Sequence, residues 1–100
     1  MSQAHRLLVM ADYLADPIWL RDEDGRGSVS VQLERLPLSA GLVVRLRAWA
    51  ARFDALQQSD HEWPDEATRV AWAEEGSRLT DAVRAELGPN YDVQFFHRGP

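Results

Sequence analysis

Two stretches of the chain repeat apolar residues at helical spacing, and shorter alternating or continuous apolar runs surround them. Leu42, Leu46, Trp49, Phe53 and Leu56 follow one another at steps of four, three, four and three, which lays one stripe along about four turns of helix. Ser39 is the expected N-cap of this helix, its hydroxyl accepting from first-turn amides, with Leu38 and Val43 at the N′ and N4 positions of a hydrophobic staple. After a polar break from Gln57 to Trp63, Asp65 is the expected N-cap of a second helix that runs to Leu87. Its stripe is Trp72, Gly76, Leu79, Val83 and Leu87, and Gly88-Pro89 supplies the stop.

Gly76 lies on that stripe, although an interior glycine costs about 1 kcal/mol relative to alanine. Without a β-carbon the helix can admit a bulky ring, Trp49 or Phe53, from the first helix; a merely tolerated glycine is the alternative.

Outside the helices, His5 to Ala11 reads as a strand whose nearly continuous apolar run implies cover on both faces. Tyr13 to Gly27 reads as an ordered loop pinned by Tyr13, Ile18, Trp19 and Leu20. Val29, Val31 and Leu33 alternate with polar residues across 28–36, the period of a half-buried strand, with a turn-rich segment leading into Leu36-Pro37 as the alternative. Tyr91 to His97 closes the chain as a strand, with Tyr91, Val93 and Phe95 on one side. The pattern is β-(β)-α-α-β. It describes one α+β domain over residues 1–100, a two- or three-stranded sheet covered on one face by an antiparallel helical hairpin. An open edge of so small a sheet invites pairing with a second copy, so a homodimer with a continuous sheet is expected.

Composition narrows the chemistry. The 100 residues contain no cysteine, which removes disulfides, thiolate metal sites and a cysteine nucleophile together. No apolar run reaches the roughly 18–20 residues needed to span a bilayer, and the N-terminus lacks a signal-peptide pattern, so a cytoplasmic protein is expected. The net charge of −5 argues against nucleic acid or an anionic membrane as partner, because either requires a basic footprint. The charge is uneven: residues 28–58 carry +2 and residues 59–87 carry −5.

No constellation declares a reaction, and no cofactor is implied. His61-Glu62 starts like a zinc-protease helix motif, but Asp65 stands where the second histidine belongs and Pro64 breaks the helix. Asp22-Glu23-Asp24-Gly25 resembles the middle of a calcium loop without its first ligand or its closing glutamate. No serine has a nucleophile-elbow context, and Gly25-Arg26-Gly27-Ser28 is too short to cradle phosphate. His5 and His97, at the ends of two strands, form a weak metal pair if those strands are neighbours and Asp12 or Asp92 contributes an acid.

Trp19 and Trp63 stand apart from the predicted core, each beside prolines and acids. They either cap the ends of the core or act as aromatic anchors ringed by carboxylates, the composition with which an acidic protein grips a basic one. In the second reading Trp63 is surrounded by Asp60, Glu62, Asp65 and Glu66, and Trp19 by Asp22, Glu23 and Asp24.

The segments Leu36-Pro37-Leu38-Ser39, Arg45-Leu46, Ala48-Trp49-Ala50, Phe53-Asp54, Trp63-Pro64, Glu75-Gly76, Leu79 and Ala85-Glu86-Leu87-Gly88-Pro89 resemble a group of small bacterial proteins of similar length that carry no assigned activity. In size and charge the chain is also similar to small acidic immunity or antitoxin partners of bacterial conflict systems. The leading expectation is therefore a non-enzymatic interaction protein, an inhibitor or immunity-like partner that masks a basic surface. A metal-binding protein or enzyme using His5 and His97, and a self-associating structural module, are the alternatives.

Overall fold

The computed structural model describes residues 5–21 and 27–96. Strands β1 (His5–Val9), β2 (Ile18–Arg21) and β3 (Ser28–Ser30) precede helices α1 (Ala40–Asp54) and α2 (Glu66–Leu87), and strand β4 (Tyr91–Phe95) follows them. A 3-10 turn at Leu33–Arg35 leads into α1, and another at Ala55–Ser59 extends its end. The sheet order is β3-β2-β1-β4, with β1 antiparallel to β2 and parallel to β4. A helical hairpin on a sheet is what the spacing predicts; the sheet has four strands rather than two or three.

The extra strand is β2. Its four residues lie inside the segment read as a pinned loop, where Pro17 and the acidic run conceal so short a strand. Ile18 pairs with Val9 and is completely buried, so the pinning residues act through a ladder. Only Ser28–Ser30 of the 28–36 stretch form a strand; Leu33 then turns into the core in the 3-10 segment. Strand β1 stops at Val9, two residues short of the expected end.

Leu7, Leu8 and Val9 are all buried, in keeping with cover on both faces. Alternation puts Leu7 and Val9 beneath the helices, while Leu8 faces the other way beside its cross-strand neighbour Trp19. The helical layer contributes Leu42, Leu46 and Trp49 from α1 and Leu79, Val83 and Leu87 from α2.

Capping fixes the hairpin. Ser39 Oγ accepts from Leu42 N–H at 3.3 Å, and Asp65 Oδ1 from Thr68 N–H at 2.6 Å. Gly88 ends α2 with φ 79°, a backbone setting that favours glycine. The carboxylate that closes a capping box normally stands three residues after the cap, where this chain has Leu42. Glu86 of α2 replaces it, accepting from Ser39 N–H at 2.6 Å and Ser39 Oγ at 2.8 Å. The start of α1 is thereby tied to the end of α2.

At the other end, Trp49 and Trp72 stack with centroids 4.4 Å apart and planes 5° apart. Each indole N–H donates to the other residue's carbonyl at 2.9 Å. Gly76 makes room for this pair: a β-carbon there would lie 2.6 Å from Trp49 Cζ2 and 2.7 Å from two ring atoms of Phe95. The rings that use the gap are Trp49 and Phe95; Phe53 stacks instead on Trp72, at 5.6 Å.

Candidate functional site

The carboxylates near Trp63 divide by task. Asp65 caps α2, and hydrogen bonds from Thr68 hold its carboxyl below the usual carboxylate range. Glu66 pairs with Arg69 one turn on, and that hydrogen bonding lowers its pKa as well. Asp60 and Glu62 are exposed. Trp63 is half-buried, tilted against Trp72 at 5.2 Å, at the margin of the aromatic stack.

Of the second expected patch the structure describes Trp19, which lies in a strand rather than a loop. That residue sits in β2, half-buried, its indole N–H donating to Met10 carbonyl at 3.0 Å. Asp22, Glu23 and Asp24 lie outside the described residues, as does His97. His5 is at the start of β1 with its ring 5.6 Å from Tyr91. Among the described residues, no group of three or more His, Asp or Glu side chains is arranged to hold a metal ion.

A different constellation forms where the β1–β2 connection meets the turn between the helices. The Tyr13 ring stacks on Phe53 at 4.8 Å and meets His61 edge-on at 5.1 Å. Its hydroxyl lies within hydrogen-bonding distance of His61 Nδ1, at 2.6 Å. One residue on, Leu14 N–H donates to Asp54 Oδ1 at 3.3 Å. These contacts join residues 48 and 40 positions apart and bind the two loops into one surface.

That surface is strained and apolar at its tip. Leu14, Asp60 and His61 are the non-glycine residues with positive φ among the described residues, at 61°, 55° and 63°. Such backbone costs roughly 1–3 kcal/mol per residue and persists where the surroundings impose it. Asp60 and His61 terminate the 3-10 turn, both amides donating to Leu56 carbonyl, at positions that usually select glycine. Leu14 is 89% exposed, the most exposed of the large apolar side chains described. Its conformation buries nothing of its own.

Beside Leu14 is a shallow cavity of about 210 Å³, walled by Pro17, Ala50 and Ala51 with Asp16, Arg47 and Asp54 at its polar margin. Arg47 is engaged on both sides. It donates to Asp16 Oδ2 at 3.0 Å and to Glu34 Oε1 at 2.7 Å, while Asp16 also accepts from Leu33 N–H at 3.1 Å. The guanidinium, together with Glu34's own backbone, lowers the Glu34 carboxyl to about 2. The pairing raises Arg47 above its already high value.

The electrostatics follow from the chain itself. Residues 53–68 contain Asp54, Asp60, Glu62, Asp65 and Glu66 and no arginine or lysine. On the facing loop, Asp12 Oδ1 accepts from Tyr13 N–H at 2.8 Å. The arrangement offers an aromatic floor, a projecting leucine, a small and largely polar cavity and a carboxylate rim. Exposed carboxylates beside a projecting apolar side chain can attract a cationic surface and pack against it.

A family model described as Serratia CdiI immunity protein-like matches residues 5–98 of the chain. None of the curated proteins compared with it matches.

Proposed function

The chain belongs to the Serratia CdiI immunity protein-like family, and from that membership we propose that it neutralises a toxin in the cytosol by binding it through the junction of the β1–β2 loop and the interhelical turn. Leu14 enters an apolar hollow on the toxin. Asp54, Asp60 and Glu62 draw in and pair with basic residues around that hollow, and Asp65 and Glu66 extend the attracting field although each also has a local task. Trp63 supports the surface from below through Trp72 rather than serving as its central anchor.

The observation that carries this reading is Leu14. A leucine in left-handed backbone, almost wholly in water, gains nothing for the fold from its side chain. A glycine would suit the site better. Left-handed backbone costs a non-glycine residue about 1–2 kcal/mol, and the extra freedom of glycine in the unfolded chain offsets about 0.4–1 kcal/mol of the relief.

Leu14→Gly therefore separates folding from binding. It should raise stability by about 0.5–1 kcal/mol in urea unfolding and weaken affinity for the toxin captured from the native host by roughly tenfold or more. Asp60→Arg with Glu62→Arg should slow association and flatten its dependence on salt. Unchanged toxin affinity in both proteins would remove this surface from the proposal.

A further inference from the structure

Strand β4 is an edge of the sheet, and the hydrogen-bond phase of its ladder identifies which groups face outward. His5 N–H donates to Asn90 carbonyl at 3.1 Å, and Phe96 N–H to Val9 carbonyl at 3.0 Å. In a parallel ladder this phase directs Asp92 and Gln94 of β4 toward β1 and turns the N–H and C=O of Val93 to the outer edge. The Val93 side chain is buried at 2% exposure, while its peptide groups lie along the outside.

One of those outward groups is already taken by a side chain. Arg84, in the last turn of α2, reaches over the strand and donates from Nε to the Val93 carbonyl at 2.7 Å. Asp81, one turn earlier, holds the same guanidinium through Nη1 at 2.9 Å. Tyr91 N–H is also engaged, donating to Gly88 carbonyl at 3.3 Å. A charged side chain lying along an edge is a recognised means of discouraging strand addition.

The strand that would be added is written in β4 itself. In a twofold antiparallel pairing of the five-residue strand, the register with greatest overlap centres on Val93 opposite Val93 of the other copy. It sets Asp92 against Gln94, a carboxylate beside an amide with no like-charge clash, and Tyr91 against Phe95, an aromatic pair. Because the Val93 peptide groups face outward, the central pair is the hydrogen-bonded kind, each Val93 N–H donating to the other Val93 carbonyl. That carbonyl is the one Arg84 occupies.

We propose that β4 is a latent self-pairing strand and that Arg84, held by Asp81, keeps it closed against a second copy of this chain. The homodimer expected from the sheet edge is thus a state the wild-type fold suppresses at β4. In the dimer each guanidinium must yield or share its Val93 carbonyl, so the guard acts twice on each association.

The test compares wild type, Arg84→Ala, Arg84→Met and Arg84→Lys by sedimentation from micromolar to millimolar concentration, with amide exchange at Val93 followed by NMR. Losing a charge-assisted hydrogen bond from each copy should tighten self-association by roughly tenfold or more in the Ala and Met variants. Val93 N–H should become protected as concentration rises. Wild type and the Lys variant, which keeps a cationic donor, should stay monomeric with Val93 exchanging independently of concentration. Monomeric Ala and Met variants at millimolar concentration would overturn the proposal. So would dimers that leave Val93 unprotected, or a wild type that pairs through Val93. Unfolding of both the Ala and Met variants would overturn it too, by making Arg84 a strut of the fold rather than a guard.

Discussion

Replacing Gly76 with alanine sets helix propensity against space, and the geometry decides the sign. In a helix interior alanine gains about 0.8–1 kcal/mol over glycine. The new methyl, however, would stand 2.6 Å from Trp49 Cζ2 and 2.7 Å from Cε1 and Cζ of Phe95. Carbon atoms in ordinary contact are about 3.5–4.0 Å apart, so both rings must retreat by most of an ångström. Trp49 has nowhere easy to go, being 2% exposed, stacked on Trp72 and held by reciprocal hydrogen bonds. Overpacking costs roughly 1–3 kcal/mol, and two obstructed rings in place of one flexible chain end put this case near 3 kcal/mol. Subtracting the propensity gain leaves a net loss of about 2 kcal/mol.

For a domain of this size each 1 kcal/mol moves the thermal midpoint by about 4–8 °C, so Gly76→Ala should lower Tm by roughly 8–16 °C. Scanning calorimetry measures it directly. Phe95→Leu in the same background should restore part of the loss, with a coupling energy outside the additive range for independent sites. A Gly76→Ala protein as stable as wild type or more so would refute the argument. It would mean that the rings shift freely and that the glycine serves no packing purpose.

Two further outcomes follow from the same contacts. Trp72→Phe removes the indole donor to Trp49 carbonyl and part of the stacked surface, and should cost about 1–3 kcal/mol in urea unfolding together with loss of the paired-indole signal in near-ultraviolet circular dichroism. Acid should erode stability through groups whose folded pKa is depressed: Glu34, from an ordinary 4.5 to about 2 beside Arg47, and Asp65, Glu66 and Glu86 through bonds from Thr68, Arg69 and Ser39. Such groups stabilise fully above the ordinary carboxylate range and progressively less as pH falls toward their folded values, so Tm should decline from about pH 4.5 toward pH 2, and Glu34→Gln should flatten the decline.

What was legible in the chain was whatever is encoded within one or two turns. Both helices could be bounded because their caps are local: Ser39 and Asp65 bond amides three residues ahead, and Gly88 stops α2 with its own backbone. The close approach at Gly76 was readable from its place on the stripe, but its second ring, Phe95, comes from a strand beyond the second helix. Strand β2 was hidden because four residues are too few to show alternation, and Ile18-Trp19-Leu20 pins a loop as convincingly as it builds a ladder. The acids around Trp63 were visible, and Asp65 was read both as a cap and as one of them; the cap is the role that the structure shows. Leu14 was missed altogether, and Tyr13 and His61, read as a loop pin and as part of a failed metal motif, were not expected to meet. A leucine gives no sign of left-handed backbone, and the Tyr13–His61 contact spans 48 residues.

The two ends of the helical hairpin therefore receive different treatment. At the Ser39 end, Glu86 satisfies the cap and Arg84 covers the strand edge, and no non-glycine residue described there is held at positive φ. At the Tyr13 end three such residues are held in left-handed backbone by hydrogen bonds to Asp54 and Leu56, and a stack running from Trp49 and Trp72 through Phe53 to Tyr13 lies beside them. Each ring in that series is fixed by the one beneath it, and the lowest pair is locked by two backbone hydrogen bonds. A loop set on such a floor has lost its freedom before any partner arrives, so association need not supply the ordering free energy that a flexible loop would require. In the proposed function, the strain at Leu14, Asp60 and His61 is offset by the core, and its return is a surface set in shape before the toxin arrives.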